Sequence, residues 1–252
     1  LLGGLNLPYE SVVDLQDLSE LKQISQSDAG WHIGGAATLE QVIQQTNLPV
    51  HVRTAITRTL PLNLRTGVSV AESLITPQPQ SEWLAVLAAL DAQVEHMGFR
   101  KGSLLNNAQR QPVLSFIDEL RQHGYPYGGL ITALHIPAIS GILGSAFVAR
   151  TPADLPIVSA TAYLRLDAQQ QVSHVSAIVT GATEAPAAAV DLDMMNRQPL
   201  TADLIEKAAE QVPQQVSPVS DYRGSSDYRR QMAAVMVKRA LMDCLAQVHV
   251  RD

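Results

Sequence analysis

Residues 220–230 read Ser220-Asp221-Tyr222-Arg223-Gly224-Ser225-Ser226-Asp227-Tyr228-Arg229-Arg230, and the chain runs on without a break into the apolar stretch 231–248. A polar, charge-balanced loop therefore delivers directly into a long helix. Ser226 or Asp227 is placed to cap it, because a side-chain oxygen there accepts from the free N–H groups of the first turn. Met232, Val235, Met236 and Arg239 fall on one stripe of this helix, and Ala234, Val237, Leu241, Leu245 and Val248 on another. A helix apolar over so much of its circumference packs against a body of protein. Spacing alone reads the Asp/Arg/Tyr cluster as a surface ion-pair network beside a cap.

The bulk composition narrows the function classes. The chain has 252 residues, 46% hydrophobic and 17% charged, with a formal net charge of −6. That length buries a substantial core in one large or two smaller domains. Mild acidity without a basic cluster argues against a nucleic-acid partner. No apolar run approaches membrane-spanning length, and no signal peptide is visible. The first residue is Leu1 rather than Met, so a fragment or a missing start is expected. The single cysteine, Cys244, forms neither an intrachain disulfide nor a Cys-rich metal site; it reads as a small core residue in a reducing cytoplasm.

Three regions follow one another. In residues 1–48, a short strand is expected at 11–15, a helical turn or two at 18–24, and a strand at 31–36. Thr38 with Gln41 three places on is a capping box opening a short helix through Gln44. In residues 49–140, helix is expected at 50–59, broken by Pro61 and the 62–70 segment. A short apolar helix follows at 83–90, an outward strand at 92–96 and a loop-rich stretch at 98–111. A polar-to-apolar segment covers 113–120, a turn cluster 125–129, and a strand at 130–136 ends at Pro137. In residues 145–252, Ala160, Ala162, Leu164 and Leu166 alternate with Thr161, Tyr163 and Arg165, the pattern of a half-buried strand. Residues 167–171 turn, residues 172–179 return as the hairpin partner, and Pro199 and Thr201 precede an amphipathic helix.

The order Asp-x-Arg-x-Ser-x-x-Tyr-Arg-Arg, followed by an apolar helix bearing Lys238-Arg239-Ala240-Leu241, resembles the C-terminal domain of the flavin (medium) subunit of molybdenum hydroxylases, the xanthine dehydrogenase and carbon monoxide dehydrogenase family. The resemblance continues upstream through residues 150–158, Gly181-Ala182 with Pro186, Ile33-Gly34-Gly35-Ala36-Ala37-Thr38-Leu39 and Val13-Asp14-Leu15. It implies an α+β fold of the PCMH type: two small α/β subdomains at about 1–48 and 49–140, forming an FAD-binding domain 1–140. A C-terminal α+β domain, 145–252, carries an antiparallel sheet flanked by helices. It also implies that family members have a further strand–helix unit before the first glycine turn, whose absence would leave the phosphate pocket without a wall.

Flavin subunits of this family hold FAD between two glycine-rich turns, since backbone N–H groups approach a pyrophosphate closely only where side chains are absent. The resemblance places the first turn at Gly3, Gly4, Leu5 and Asn6, with Leu5 where the family has a hydroxyl residue. It places the second at Ser69, Val70, Ala71, Glu72 and Ser73, where the family reads Thr-x-Gly-Gly-Asn. Alanine restricts positive φ. A carboxylate within about 4 Å of phosphate costs roughly 4 kcal/mol at an effective dielectric of about 20, which Arg65 would have to offset. Glu82 is placed to take a ribose hydroxyl, and Trp83 reads as core or as a wall on the adenine side.

Other constellations are bland. The seven histidines show no ligand spacing, Asp191 and Asp193 read as a solvated helix start, and no Ser-His-Asp set or Gly-x-Ser-x-Gly elbow is present. Two functional expectations result. One is an oxidoreductase subunit that binds FAD and passes electrons from an iron–sulfur subunit, fed by a molybdenum cofactor subunit, to an external acceptor. The other is a flavin-free scaffold or assembly subunit in which the fold persists while Ala71-Glu72 have damaged the phosphate turn.

Overall fold

The computed structural model describes residues 13–15, 17–77, 80–100, 103–104, 108–123, 129–151 and 154–251. The first glycine turn and the 125–128 part of the turn cluster lie outside these residues, as do residues 11–12 of the first expected strand; residues 13–15 are not in a strand.

The N-terminal half is a six-stranded antiparallel sheet covered by short helices. Its strands are β1 (Ile24–Ser27), β2 (Gly30–Gly34), β3 (Gln93–Arg100), β4 (Ser103–Leu104), β5 (Gln109–Pro112) and β6 (Gly129–Pro137), in the order β1-β2-β6-β3-β4 with β5 also paired to β3. Gly30 turns the first hairpin at φ +125, and a Cβ there would lie 2.1 Å from the Ile136 carbonyl oxygen of the neighbouring strand. The helices are α1 (Leu39–Ile43), α2 (Val50–Thr59), α3 (Leu62–Arg65), α4 (Val70–Ile75), α5 (Glu82–Ala89) and α6 (Val113–His123). Thr38 caps α1 with the expected capping box, and α2 spans the residues its pattern predicts. The stretch read as loop-rich instead continues β3 and returns as β4 and β5. The polar, mostly exposed side chains of β5 belong to a strand at the sheet margin, so no apolar alternation marks it.

The C-terminal half is a four-stranded antiparallel sheet, β7 (Ile142–Val148), β8 (Val158–Leu166), β9 (Val172–Thr180) and β10 (Ala188–Val190), in the order β10-β9-β8-β7. Helices α7 (Ala202–Glu210) and α8 (Ser226–Arg251) cover one face. The β8–β9 hairpin forms where the turn chemistry predicts. Asp167 Oδ1 accepts from the N–H groups of Gln169 and Gln171, both at 2.9 Å. The expectation of a half-buried β8 is corrected: seven consecutive residues, Val158 to Leu164, are buried. Its apolar face meets α8 and its polar face meets α5, so a helix from the N-terminal half roofs the second side. There Ser159 and Thr180 satisfy each other across the pair at 2.8 Å.

Two corrections concern α8. Its cap is Ser225, whose Oγ accepts from the Tyr228 N–H at 3.2 Å, while Asp227 pairs with Arg230. The buried stripe runs through Ala233, Met236, Val237, Ala240, Leu241, Cys244 and Leu245, with Arg239 exposed. The Asp/Arg cluster is an interior device rather than a surface network, because Arg229 is only 2% exposed. Its guanidinium donates to the carbonyls of Ile157 (2.7 Å) and Gly181 (2.8 Å) and to Asp221 Oδ1 (2.6 Å). It thereby ties α8 to the ends of β8 and β9. Burial pushes the Asp221 carboxyl upward, but the Arg223 N–H and the Arg229 guanidinium outweigh it and hold the group below its usual range.

Candidate functional site

Two segments far apart in sequence meet beside the N-terminal sheet. The first is the 34–38 turn, where β2 ends and α1 begins. The second is the entry to α4. Thr38 Oγ1 accepts from the Gln41 N–H (3.2 Å) and Ser69 Oγ from the Glu72 N–H (3.1 Å), so each hydroxyl caps its own helix. Thr38 and Ser69 also face each other in an antiparallel bridge, closed by Leu39 N–H to Val68 O (3.0 Å) and Val70 N–H to Ala37 O (2.8 Å). The Ala71 N–H adds a bond to Gly35 O (2.9 Å).

This junction borders a cavity of about 380 Å3. Gly35, Ala36, Thr38, Gly67, Ser69 and Ala71 line one side; Leu15, Leu21, Leu130 and Ile131 make it apolar elsewhere, and Lys22 stands at its rim. Neighbouring contacts fix the backbone tightly. A Cβ on Gly35 would lie 2.3 Å from the Ile131 carbonyl oxygen, and one on Gly34 would lie 2.2 Å from that of Leu21.

The expected second-turn residues do not act as a block. Ser69 and Ala71 line the cavity, Val70 is fully buried in the core, and Glu72 is exposed and does not line it. Ser73 turns inward, accepting from Trp83 Nε1 (3.2 Å) and donating to Val70 O (2.7 Å). Residues 70–75 are helical, so positions 71 and 72 make no demand for positive φ, the conformation that favours glycine. Arg65 does not face the cavity; its Nε donates to Glu40, and that hydrogen bond is the chief reason the Glu40 carboxyl sits below its usual range. Glu82 is buried at the start of α5, paired with Arg58 at 3.2 Å, and is not among the lining residues. Burial pushes its carboxyl upward against the pull of Arg58. Trp83 is 1% exposed, a core residue. Lys22, Thr38, Gly35 and Gly67 are lining residues that the sequence reading did not nominate; the Thr38 capping box was the signal at hand.

The donor set fits a phosphate-bearing ligand with an apolar ring. Each capping hydroxyl receives a backbone N–H on a lone pair and keeps its own proton to donate. The apolar side chains opposite offer a surface for a flat ring system. Among the described residues no cluster of three or more His, Cys, Asp or Glu is arranged to hold a metal ion. A cavity of about 240 Å3 elsewhere on the sheet joins His32, His135 and Arg110. There His135 Nε2 lies 3.0 Å from Glu95 Oε2, and Arg110 is bound to the same carboxylate at 2.8 Å.

Comparison with known proteins places the whole chain. Residues 5–139 match the model of the FAD-binding domain in molybdopterin dehydrogenases, and residues 146–244 that of the carbon monoxide dehydrogenase flavoprotein C-terminal domain. The glyceraldehyde dehydrogenase medium chain of Sulfolobus acidocaldarius is 23% identical over 248 residues, covering 94% of this chain and 84% of that one. Subunit alpha of the 6-hydroxypseudooxynicotine dehydrogenase complex of Paenarthrobacter nicotinovorans is 26% identical over 242 residues, covering 93% and 79%. Among solved structures, quinoline 2-oxidoreductase from Pseudomonas putida 86 shares the fold at a TM-score of 0.78 and 19% identity, over 93% of this chain and 81% of that one. Carbon monoxide dehydrogenase from Hydrogenophaga pseudoflava does so at 0.77 and 19%, over 90% and 79%.

Proposed function

The chain belongs to the family of FAD-binding flavoprotein subunits of molybdopterin dehydrogenases, and on that premise we propose that it binds FAD in the cavity between the 34–38 turn and the entry to α4. The observation that carries this reading is the placement of Ser69 and Ala71. The segment matched to the family's second glycine turn lines a cavity with hydroxyl donors, while Glu72, the residue that would repel phosphate, is exposed outside the lining. Gly3, Gly4, Leu5 and Asn6 are the residues proposed for the first turn. Bound FAD would supply the redox chemistry, taking electrons from an iron–sulfur partner served by a molybdenum cofactor subunit and releasing them to an external acceptor. The chain's own part is to fix the ring and the phosphates, and no residue acts as a catalytic acid or base. Glu82 holds no ribose in this reading, because it is buried outside the cavity lining and paired through Oε2 with Arg58. The compartment proposed is the cytoplasm; among the described residues no helix is long and apolar enough to cross a membrane.

The flavin-free scaffold remains a second reading, favoured by one observation: the α4 amides of Val70, Ala71 and Glu72 are all engaged by acceptors of this chain. The visible spectrum of the purified full-length protein, taken before and after incubation with FAD and desalting, separates the two. Retained flavin bands at near one per chain are expected. A colourless protein that takes up no added FAD would overturn the flavin reading and favour the scaffold.

A further inference from the structure

The cavity poses a charge problem that its backbone does not solve. A pyrophosphate is a dianion, and in water-poor surroundings it requires hydrogen-bond donors and compensating positive charge. Yet the N–H groups of five lining residues are already engaged within the protein, and that of Ser69, which has no acceptor among the described residues, is neutral. Gly35 N–H donates to Thr132 O, Ala36 to Leu21 O, Gly67 to Leu64 O and Ala71 to Gly35 O. The Thr38 N–H donates to Gln41 Oε1. The two lining hydroxyls, Thr38 and Ser69, can each donate a proton but carry no charge. Among the described lining residues one is charged, Lys22.

Lys22 is well placed for this. It closes the short 3-10 turn Ser19–Lys22, whose position is fixed where the Ala36 N–H bonds Leu21 O and the Gly34 N–H bonds Gln23 O, both at 2.8 Å. Its side chain is exposed, and its ammonium has no ion-pair partner among the described residues. A lysine on a flexible stem, with three donors and a compact charge, suits a phosphate better than a neutral hydroxyl pair does.

We infer that Lys22, acting with the Thr38 and Ser69 hydroxyls, is the phosphate-recognising cation of this cavity, so that side chains supply here what glycine backbone amides supply at a glycine-rich turn. This rests on the proposed flavin site and deepens it. It makes a phosphate-bearing ligand, rather than a free ring system, the one the site selects.

Equilibrium binding of FAD and of riboflavin, followed by quenching of flavin fluorescence, tests the inference on the full chain and on Lys22→Met and Lys22→Arg. Methionine keeps most of the stem and removes the charge; circular dichroism confirms that each variant is folded. The expected result has four parts. Lys22→Met binds FAD about tenfold more weakly, the loss of one charge-assisted hydrogen bond. Riboflavin, which lacks phosphate, binds both proteins alike. Lys22→Arg recovers most of the FAD affinity, and raising the salt concentration weakens FAD binding more in the parent than in Lys22→Met. If Lys22→Met holds FAD as tightly as the parent, Lys22 is not the phosphate cation. An equal loss of FAD and riboflavin also overturns the inference, since Lys22 would then support the cavity rather than the phosphate. A parent protein that takes up neither flavin fails at the earlier step and removes the flavin site itself.

Discussion

Glu82 and Arg58 show how one residue's environment is set by its partner. The Glu82 side chain is 5% exposed, and its Oε1 has no hydrogen-bond partner among the described residues; Arg58, at 37% exposure, reaches Oε2 from the rim of an interdomain cleft while lying over the Phe147 ring at 4.3 Å. Burial raises the carboxyl pKa, so the unfolded chain holds this charge more readily than the folded one. For an acid shifted that way, the cost to stability is greatest at high pH. It fades as the pH falls through the folded-state pKa and the carboxyl takes up its proton. Arg58→Met should therefore destabilise the protein by about 3 kcal/mol at pH 8, the low end for a broken buried pair because Arg58 is partly solvated. The loss should shrink in mildly acidic buffer. Urea unfolding at both pH values measures it. An equal loss at the two would mean that Glu82 is not the charged group left stranded, whereas Arg58→Met combined with Glu82→Gln should recover most of the stability.

Elements meet where backbones approach closely, and the β7–α8 crossing is one such place. A Cβ on Gly144 would lie 2.1 Å from the Ala240 carbonyl oxygen and 2.7 Å from Cys244 Sγ. Gly144→Ala must push the helix off the sheet, an overpacking cost of about 2 kcal/mol that thermal unfolding would register. Adding Cys244→Ala should not rescue it, since the nearer obstacle is backbone. A rescue would show that the thiol sets the spacing. Much at this scale was legible beforehand. The Thr38–Gln41 capping box, the Asp167 turn and the amphipathic pattern behind Thr201 are local chemistry, and each forms its element. The second cover of β8 was not legible. Alternation tells which side chains share a face, but a face of Ser159, Thr161 and Tyr163 reads as solvent-facing until α5, some 70 residues earlier, is laid over it. Most of the buried stripe of α8, Met236, Val237, Leu241, Leu245 and Cys244, was legible; Ala233 and Ala240 escaped because they are too small to announce a core, yet they are what the close crossing needs.

At the level of the whole molecule, the site and the core are both assembled from distant segments, and that limited what a linear reading could place. Matching residues 69–73 as a block to a glycine turn presumes that all five face a ligand. In a helix successive side chains turn by about 100°, so Val70 enters the core while Glu72 meets solvent. Thr38 joins Ser69 through the bridge between the 34–38 turn and α4, and Lys22 is brought in by the bonds of the Ala36 and Gly34 N–H groups to Leu21 O and Gln23 O. The same interdependence joins the two halves. All eight residues of α5 are buried, and the core of the N-terminal half also takes in Leu143, Tyr163 and Ile178 from the C-terminal sheet. A chain cut to residues 141–252 keeps α7 and α8 on one face and loses the roof on the other. Exposing those three side chains alone removes about 1.5–3 kcal/mol each, a large share of the roughly 5–15 kcal/mol that holds a domain folded. The fragment should therefore retain helix in circular dichroism, melt over a broad range and bind a hydrophobic dye that the intact chain excludes. A sharp, cooperative transition near that of the full protein, with no dye binding, would show that the C-terminal sheet is complete without α5.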